Sequence, residues 1–570
     1  MHRILDFLLS IKRYKNRQLF YRLIYMLSPS RKISSYKNYH SKVLFDQKFE
    51  LINFLVNNDV LPKKQKQINY TLALLGEGKI NVLNQKYSTN NYFKNEIFTS
   101  NYPHKLKSYE VSYFQFCHDL AFGILINQVS QDQIVEHLNT IVNILKLSEG
   151  FTNKHPFWYS YSVSTRIINL SLLQMSVIQK KITNSDKIEF LNKYLLLSAE
   201  YLESNLEFDS DGNHLLKNFT ALFIFYNLIG DSIKLEKYGN KIKKLLSTQL
   251  LPSGLYFEKS LDYHMLILFD LFLIEIINMQ SEKYKVEAGF LNELNNMYSF
   301  SEKMLCENDP PLFHDCFKPE YFDHKELLIL IKNYLLKNNV NKTKHDDVSP
   351  FIIHKGKNYK LIIDSSEISP SFCPAHSHDH CMHYELWYEG KKFISDSGNY
   401  NYTESKEREY FRSSSAHNLS ILKNLPSQSV LLKSFRFGRI AKKKKFQIEQ
   451  NKNQKNITAS IEGYFKGLRK NIYTRKISIN DKYILINDKF KDQKAKNFIH
   501  LHPEVEITFG GNNNYQLNRG DTYVSIKIEG DIEDHKIIKT PYADSFFKIS
   551  QKNTIEINYY QEMFYKLIFN

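Results

Sequence analysis

Residues 375–384, AHSHDHCMHY, carry the densest cluster of functional side chains in the chain. His376, His378 and His380 alternate with Ser377 and Asp379, and His383 follows. On an extended strand this alternation puts three imidazoles on one face. Four histidines within eight residues are more than a solvated strand calls for. Further on come Asp396, in FISDSG, and His417, in SSSAHN. Two neutral imidazoles and a carboxylate suit Zn²⁺, with the fourth position open or filled by water. The H-x-H-x-D-H pattern of metallo-β-lactamase-type hydrolases does not fit. It needs Asp at 380 and His at 381, whereas Asp379 stands one residue early and position 381 is Cys.

Three segments nearer the N-terminus offer further chemistry. Asn213 and His214 open a helical pattern in SDGNHLLKNFTALF, where Asp211 or Asn213 would also serve as the N-cap. Tyr263 lies beside His264 on an otherwise apolar helix in LPSGLYFEKSLDYHMLILFDLF, a setting that also suits a core tyrosine. Trp158 to Arg166, WYSYSVSTR, groups aromatic rings with one guanidinium, which can floor a sugar-binding cleft or pack between helices.

The elements that must position these residues fall into two textures. Up to about residue 340, apolar residues recur at helical spacing over 113–126, 133–147, 162–180, 187–206, 214–229, 232–250, 258–281, 288–306 and 325–338. Turn signals such as Gly230-Asp231 and Pro252-Ser253-Gly254 separate them, as in antiparallel helical hairpins. The polar stretch NNVNKTKHDDVSP then leads into segments of period two, which read as a large antiparallel sandwich. The expected division is therefore a helical domain over 1–340 and a β domain over 351–570. Asn451 to Asn456 and Gly510 to Asn514 fit hairpin loops, and Lys442 to Lys445 fits a solvated turn or the guard of a sheet edge.

Composition bounds the partners. The 570 residues carry a net charge of +17, which favours an anionic partner and is also common in Lys- and Asn-rich chains. Five scattered cysteines without a C-x-x-C pair indicate neither a disulfide framework nor a thiolate zinc site. The basic N-terminus, MHRILDFLLSIKRYKNRQLFYRLIYML, has its apolar stretches interrupted by Asp6 and by Lys12 to Arg17, so no signal peptide or transmembrane helix is expected. The expected reading is an amphipathic helix packed on its own protein, with a membrane-surface role as the alternative. No nucleic-acid partner is expected, and oligomeric state is not legible.

Taken together, the Asn213-His214 pair, GLYFEKSLDYH, PLFHD at 311–315, AHSHDHCMHYEL, FISDSGNYNY and YFRSSSAHN resemble the heparinase II/III family of polysaccharide lyases. The resemblance spans nearly the whole chain and extends to RQLFYRLIYML and YEVSYFQF, which are similar to the N-terminal region of members found with bacterial surface-polysaccharide genes. It implies an incomplete (α/α) toroid followed by an antiparallel β-sandwich, with the active site between them. It also implies β-elimination on a uronic-acid-containing acidic polysaccharide, in the processing or turnover of a surface polymer. By the same resemblance Asn213 meets the substrate carboxylate, with His214 beside it. Tyr263 and His376 are catalytic, and His378, Asp396 and His417 hold a structural Zn²⁺. Arg166, Trp158 and Arg412 are candidates for substrate contact. His380 stands where the family commonly has Asp, and His314 where Asn is common. Periplasm or cell envelope is the location the resemblance implies, with cytoplasm as the alternative. A non-catalytic glycan-binding protein and a metal-dependent hydrolase are the competing readings.

Overall fold

The computed structural model describes residues 2–39, 62–94, 98, 105–181, 185–280, 289–306, 309–316, 323–341, 349–451, 454–464 and 469–569. Helices come first: α1 (His2–Lys12), α2 (Asn16–Leu27), α3 (Pro62–Gly76), α4 (Lys105–Ser112), α5 (Gln115–Leu125), α6 (Gln131–Leu147) and α7 (Ser160–Gln179). They continue with α8 (Ser185–Ser204), α9 (Asn213–Ile229), α10 (Ser232–Gln249), α11 (Leu261–Gln280), α12 (Leu291–Met304) and α13 (His324–Lys337). One hairpin, β1 (Lys79–Val82) and β2 (Gln85–Ser88), interrupts them.

Two kinds of helix alternate. Those of the inner row, α5, α7, α9 and α11, pack each on the next and are buried on nearly all sides. Their sequences are accordingly apolar all round, as in FTALFIFYNLI of α9. Between them, α6 and α10 bury one stripe and leave the rest to water. Gly230 closes α9 in the left-handed conformation, and Asp231 caps α10 by accepting the Lys234 N–H. This double layer is the incomplete toroid.

The β half begins at Phe351. A four-stranded sheet runs β3 (Phe351–Lys355), β4 (Tyr359–Asp364), β5 (His383–Tyr388) and β6 (Lys391–Ile394) in that order. After it come α14 (Lys406–Arg412), β7 (Ser420–Leu422) and the hairpin of β8 (Leu431–Lys433) with β9 (Arg436–Phe437). The large sheet comprises β7, β10 (Lys442–Gln450), β11 (Lys455–Tyr464), β12 (Lys470–Ile479), β13 (Tyr483–His500), β14 (Glu506–Gly511), β15 (Asn514–Arg519), β16 (Thr522–Ser545) and β17 (Lys548–Phe569). Every strand pair is antiparallel. Leu361, Ile363, Tyr384 and Leu386 from the small sheet share one core with Ile457, Ile477, Ile486 and Ile557 from the large one, which makes the pair a sandwich.

Two local expectations hold. Asn512 and Asn513 both take positive φ at the β14–β15 turn, and β10, which begins with Lys442 to Lys445, is an exposed edge strand. Phe351, Ile362, Trp387, Tyr542 and Phe546 join the helical core rather than the sandwich core, so the two halves are packed together. No described helix is long and apolar enough to cross a membrane.

Candidate active site

The histidine cluster is not on a strand. Residues 365–382 form an irregular connection between β4 and β5, and regular pairing begins only at His383. Backbone bonds to distant elements hold this connection: Asp379 N–H to the Arg412 carbonyl, Met382 N–H to that of Asp364, and Asp315 N–H to that of His376. The imidazoles are thus set by their carboxylate partners, His376 and His378 by Asp315 and His380 by Asp364, rather than by the pleat of a strand.

Asp315 is the hub. Its Oδ2 accepts from His376 Nδ1 at 3.0 Å and its Oδ1 from His378 Nε2 at 2.8 Å, while Arg408 grips both oxygens at 2.5 and 2.9 Å. Burial alone would raise this carboxyl, but the Arg408 guanidinium and the two imidazoles hold it well below the usual range. A carboxylate can only accept, so Nδ1 of His376 carries a proton toward Asp315, and in the neutral ring Nε2 is the nitrogen with the free lone pair. That ring stacks on Tyr263 with centroids 3.8 Å apart and planes 29° apart. Tyr263 Oη meets Tyr402 Oη at 2.9 Å. Burial raises both phenols well above 10, so both are neutral proton donors at pH 7.

Asn213 begins α9, and its backbone N–H donates to Glu258 Oε1 at 3.1 Å. Its side-chain Nδ2 is buried and has no partner. Glu258 Oε2 lies 3.8 Å from His376 Nε2, and burial raises this carboxyl. A Cβ on Gly212 would come within 2.5 Å of Glu258 Oε1, so only glycine allows this approach. His214 Nδ1 lies 2.9 Å from Glu207; burial works to lower its pKa, and Glu207 more than offsets this. Asn213, His214, Glu258, Tyr263, His376 and Tyr402 all line one cavity of about 1000 Å³ between the two halves of the chain.

Behind His376 lies a second constellation. His378, His380 and His417 each give one nitrogen to a different carboxylate at 2.8 Å: Asp315, Asp364 and Asp396 respectively. The other nitrogens, His378 Nδ1, His380 Nδ1 and His417 Nε2, are buried and without partners. One ring nitrogen from each of the three residues lies within 4.8 Å of the others. Burial lowers the pKa of His378 and His417 and so keeps both neutral. Neutral imidazoles oriented by carboxylates, with orphaned lone pairs, are a donor set that fits a divalent cation. Asp396, expected among the ligands, accepts from His417 and Gly398 and lies 2.9 Å from His383 Nε2. His383, Asp396 and His417 also converge as a candidate ligand group, alongside the three imidazoles of His378, His380 and His417.

The three expected substrate contacts do not reach the cavity. Arg166 is 1% exposed and donates from Nη1 to the carbonyls of Ser112 and Phe157. Trp158 is 1% exposed and packs against Tyr201. Arg412 ties the carbonyls of Ser377, Lys433 and Ser434 together. Each guanidinium sits on a helix that buries it, so both serve as struts. The cavity-facing cations are Arg22, Lys105, Lys217, Lys433 and Arg436, among seven Asp and Glu side chains.

Comparison with known proteins decides the family. The heparinase II/III N-terminus model matches residues 133–344, and the heparinase II/III-like C-terminal model matches residues 344–555. The chain belongs to the heparinase II/III family. This is a family of polysaccharide lyases. Comparison with curated proteins finds no match. Among solved structures, a heparinase III aligns over 94% of this heparinase II/III chain and 88% of its own, at 15% identity and a TM-score of 0.63. A heparan sulfate lyase HepC mutant from Pedobacter heparinus aligns over 97% and 87%, at 14% identity and 0.58. A chondroitinase AC lyase aligns over 91% and 82%, at 10% identity and 0.50. At such identities the likeness establishes a shared fold. Residue type and spacing alone do not assign Asp315, Arg408, Glu258, Tyr402 or His380. PLFHD and the four-histidine spacing were the signals present for two of them.

Proposed function

We propose that the chain cleaves a uronic-acid-containing acidic polysaccharide by β-elimination, in the processing or turnover of a bacterial surface polymer. The observation that carries this reading is the unpartnered Asn213 Nδ2 in the same cavity as a neutral phenol and a basic imidazole nitrogen. A substrate carboxylate accepting from Asn213 would have part of its charge neutralised, which acidifies the C5–H next to it. His376 Nε2 takes the C5 proton, and the C–H electron pair becomes the C4=C5 double bond. The C4–O bond breaks, and Tyr263 Oη gives its proton to the departing oxygen. Tyr402, at 2.9 Å, supplies the hydrogen bond that steadies the Tyr263 phenolate left behind. Where the C5–H lies on the same face as the leaving group, Tyr263 would serve both steps only after giving up its own proton, taking the C5 proton as the phenolate and passing it to the departing oxygen. His214, held by Glu207, stands beside Asn213 as a second donor.

His378, His380 and His417 would hold a divalent cation, with zinc best matched to three imidazoles. Bound there, it would lock the loop that carries His376. The mixed charge of the cavity and its seven tyrosines favour a polymer in which carboxylates are spaced by neutral or amino sugars over a densely sulfated one. Location in the periplasm or cell envelope fits such a substrate.

The test is a panel of uronate polymers followed by ultraviolet absorbance. An unsaturated uronyl product, conjugated through C4=C5 to its carboxylate, is expected from one of them. Binding without that chromophore would make the protein a glycan-binding module. Cleavage without it, lost on chelation, would make it a metal-dependent hydrolase.

A further inference from the structure

The two N-terminal helices are amphipathic the wrong way round for a soluble surface. In α1, Asp6 and Ser10 face inward at 2% and 6% exposure, while Ile4, Phe7 and Leu8 face out. In α2, Gln18 is fully buried, while Leu19, Phe20, Leu23, Met26 and Leu27 face out, the last two at 80% and 73%. A packed surface helix does the opposite. The inward polar groups are firmly engaged. Asp6 takes Arg439 through both oxygens, and Arg13 donates to the Phe437 and Gly438 carbonyls on β9 and just beyond it. Gln18 donates to the carbonyls of Asp209 and Ser210, and Lys15 and Arg17 pair with Asp211. The two helices are therefore held by their polar sides, with the apolar sides left outward. Among the described residues nothing covers that side.

Charge identifies the occupant. Residues 2–39 contain nine Lys and Arg and a single acidic residue, Asp6, which is itself buried against Arg439. Lys12, Arg31, Lys32 and Lys37 are exposed, and Lys15 and Arg17 are exposed but already paired with Asp211. An apolar face with cations and no exposed carboxylate complements an anionic lipid surface, with the apolar side chains entering the acyl boundary and the cations meeting headgroups. We infer that α1 and α2 form a monotopic docking surface that seats the protein on an anionic bilayer. At 11 and 12 residues the helices lie in the interface and do not cross it. Tyr14 and Arg22 of the same segment line the cavity. Docking therefore brings the cleft within about one helix width, ~10 Å, of the lipid, where it would meet polymer still tethered to the membrane.

The full chain is sedimented with vesicles of phosphatidylcholine alone and of phosphatidylcholine with phosphatidylglycerol, at low and high salt. Binding to the anionic vesicles is expected, about tenfold or more weaker to the neutral ones, and falling with salt. The triple variant Leu8→Glu, Leu23→Glu, Leu27→Glu should lose binding about tenfold or more, with thermal unfolding and lyase rate unchanged because these side chains already face solvent. Met26→Trp provides a second measurement in a folded protein: its emission should shift to the blue on adding anionic vesicles. No binding to either vesicle, binding indifferent to the triple variant, or an unshifted emission would overturn the inference. So would a dimer in light scattering that the triple variant dissociates, which would assign the face to a second copy of the chain.

Discussion

Replacing Asp315 by Asn tests the core of the proposed chemistry. The carboxylate accepts from four donors at once: His376 Nδ1, His378 Nε2 and two nitrogens of Arg408. An amide of the same shape offers one acceptor oxygen and one N–H₂, so at least one of these donors then faces another donor. If that donor is His376, the ring moves its proton to Nε2, and the nitrogen facing the cleft stops being a base. Losing one charge-assisted hydrogen bond is worth about 1.5–3 kcal/mol, or roughly 10- to 200-fold in rate. Enforcing the wrong tautomer extends the loss to about 10⁴-fold. Arg408, 1% exposed and left without a full counter-charge, should cost stability on the order of 3 kcal/mol. The assay is the initial rate of unsaturated-product formation on the best polymer of the panel, with circular dichroism melts in parallel. Asp315→Asn should fall at least about a hundredfold in kcat/KM, and adding His376→Ala should cost little more, since both changes remove the same base. A folded Asp315→Asn variant within about threefold of wild type would refute the argument, and so would a double variant whose losses multiply.

Other outcomes follow from the same geometry. Tyr263→Phe should lose about a thousandfold or more in kcat while retaining polymer binding, and Tyr402→Phe about tenfold, both read from initial rates and a binding isotherm. Gly212→Ala should destabilise by about 1–3 kcal/mol in denaturant melts, since its Cβ must displace the Glu258 carboxylate from 2.5 Å. His264, buried against Tyr256 and Ser301, has its pKa lowered by burial to about 3, and His118 is lowered by burial and Lys64 to about 4. The unfolded chain protonates both near 6.5, so each should cost about 1.4 kcal/mol per pH unit below that, down to its folded value. Melts from pH 7 to pH 4.5 should show this loss, and it should shrink in His264→Gln. Chelation should lower the melting temperature and the metal content of the isolated protein, and His380→Ala should do the same. Asp396→Asn should weaken metal retention less than His417→Ala, as expected for an orienting group rather than a ligand.

The fold was legible because its signals are periodic and local. The nine helical segments and the change to period two each report a buried face within a dozen residues. The site was legible only in part, because it is made by contacts between distant segments. Asp315 reaches His376 across 61 positions and Arg408 across 93. Arg408 and Arg412 lie four apart on α14, so helical spacing puts both on one side, and only the position of the 309–316 segment decides which meets the carboxylate. Three alternating histidines suggested a strand. His376 and His378 both answer to Asp315 and His380 to Asp364, on two separate segments, and satisfying those carboxylates takes precedence over the local period.

Charge shows the same limit in another form. A total of +17 invites a basic cleft, yet the cavity wall carries seven Asp and Glu to five Lys and Arg. Three of these acids have assigned work. Asp270 holds Lys217, Glu207 holds His214 and Asn218, and Glu258 receives the first N–H of α9. A polymer entering this cleft is therefore recognised by particular hydrogen bonds and aromatic faces more than by bulk attraction. Raising the ionic strength should weaken its KM far less than it weakens adsorption to anionic vesicles, whose attraction acts through the exposed cations of the N-terminal helices. A steep salt dependence of KM, matching that of vesicle binding, would show that the excess charge does serve the cleft after all.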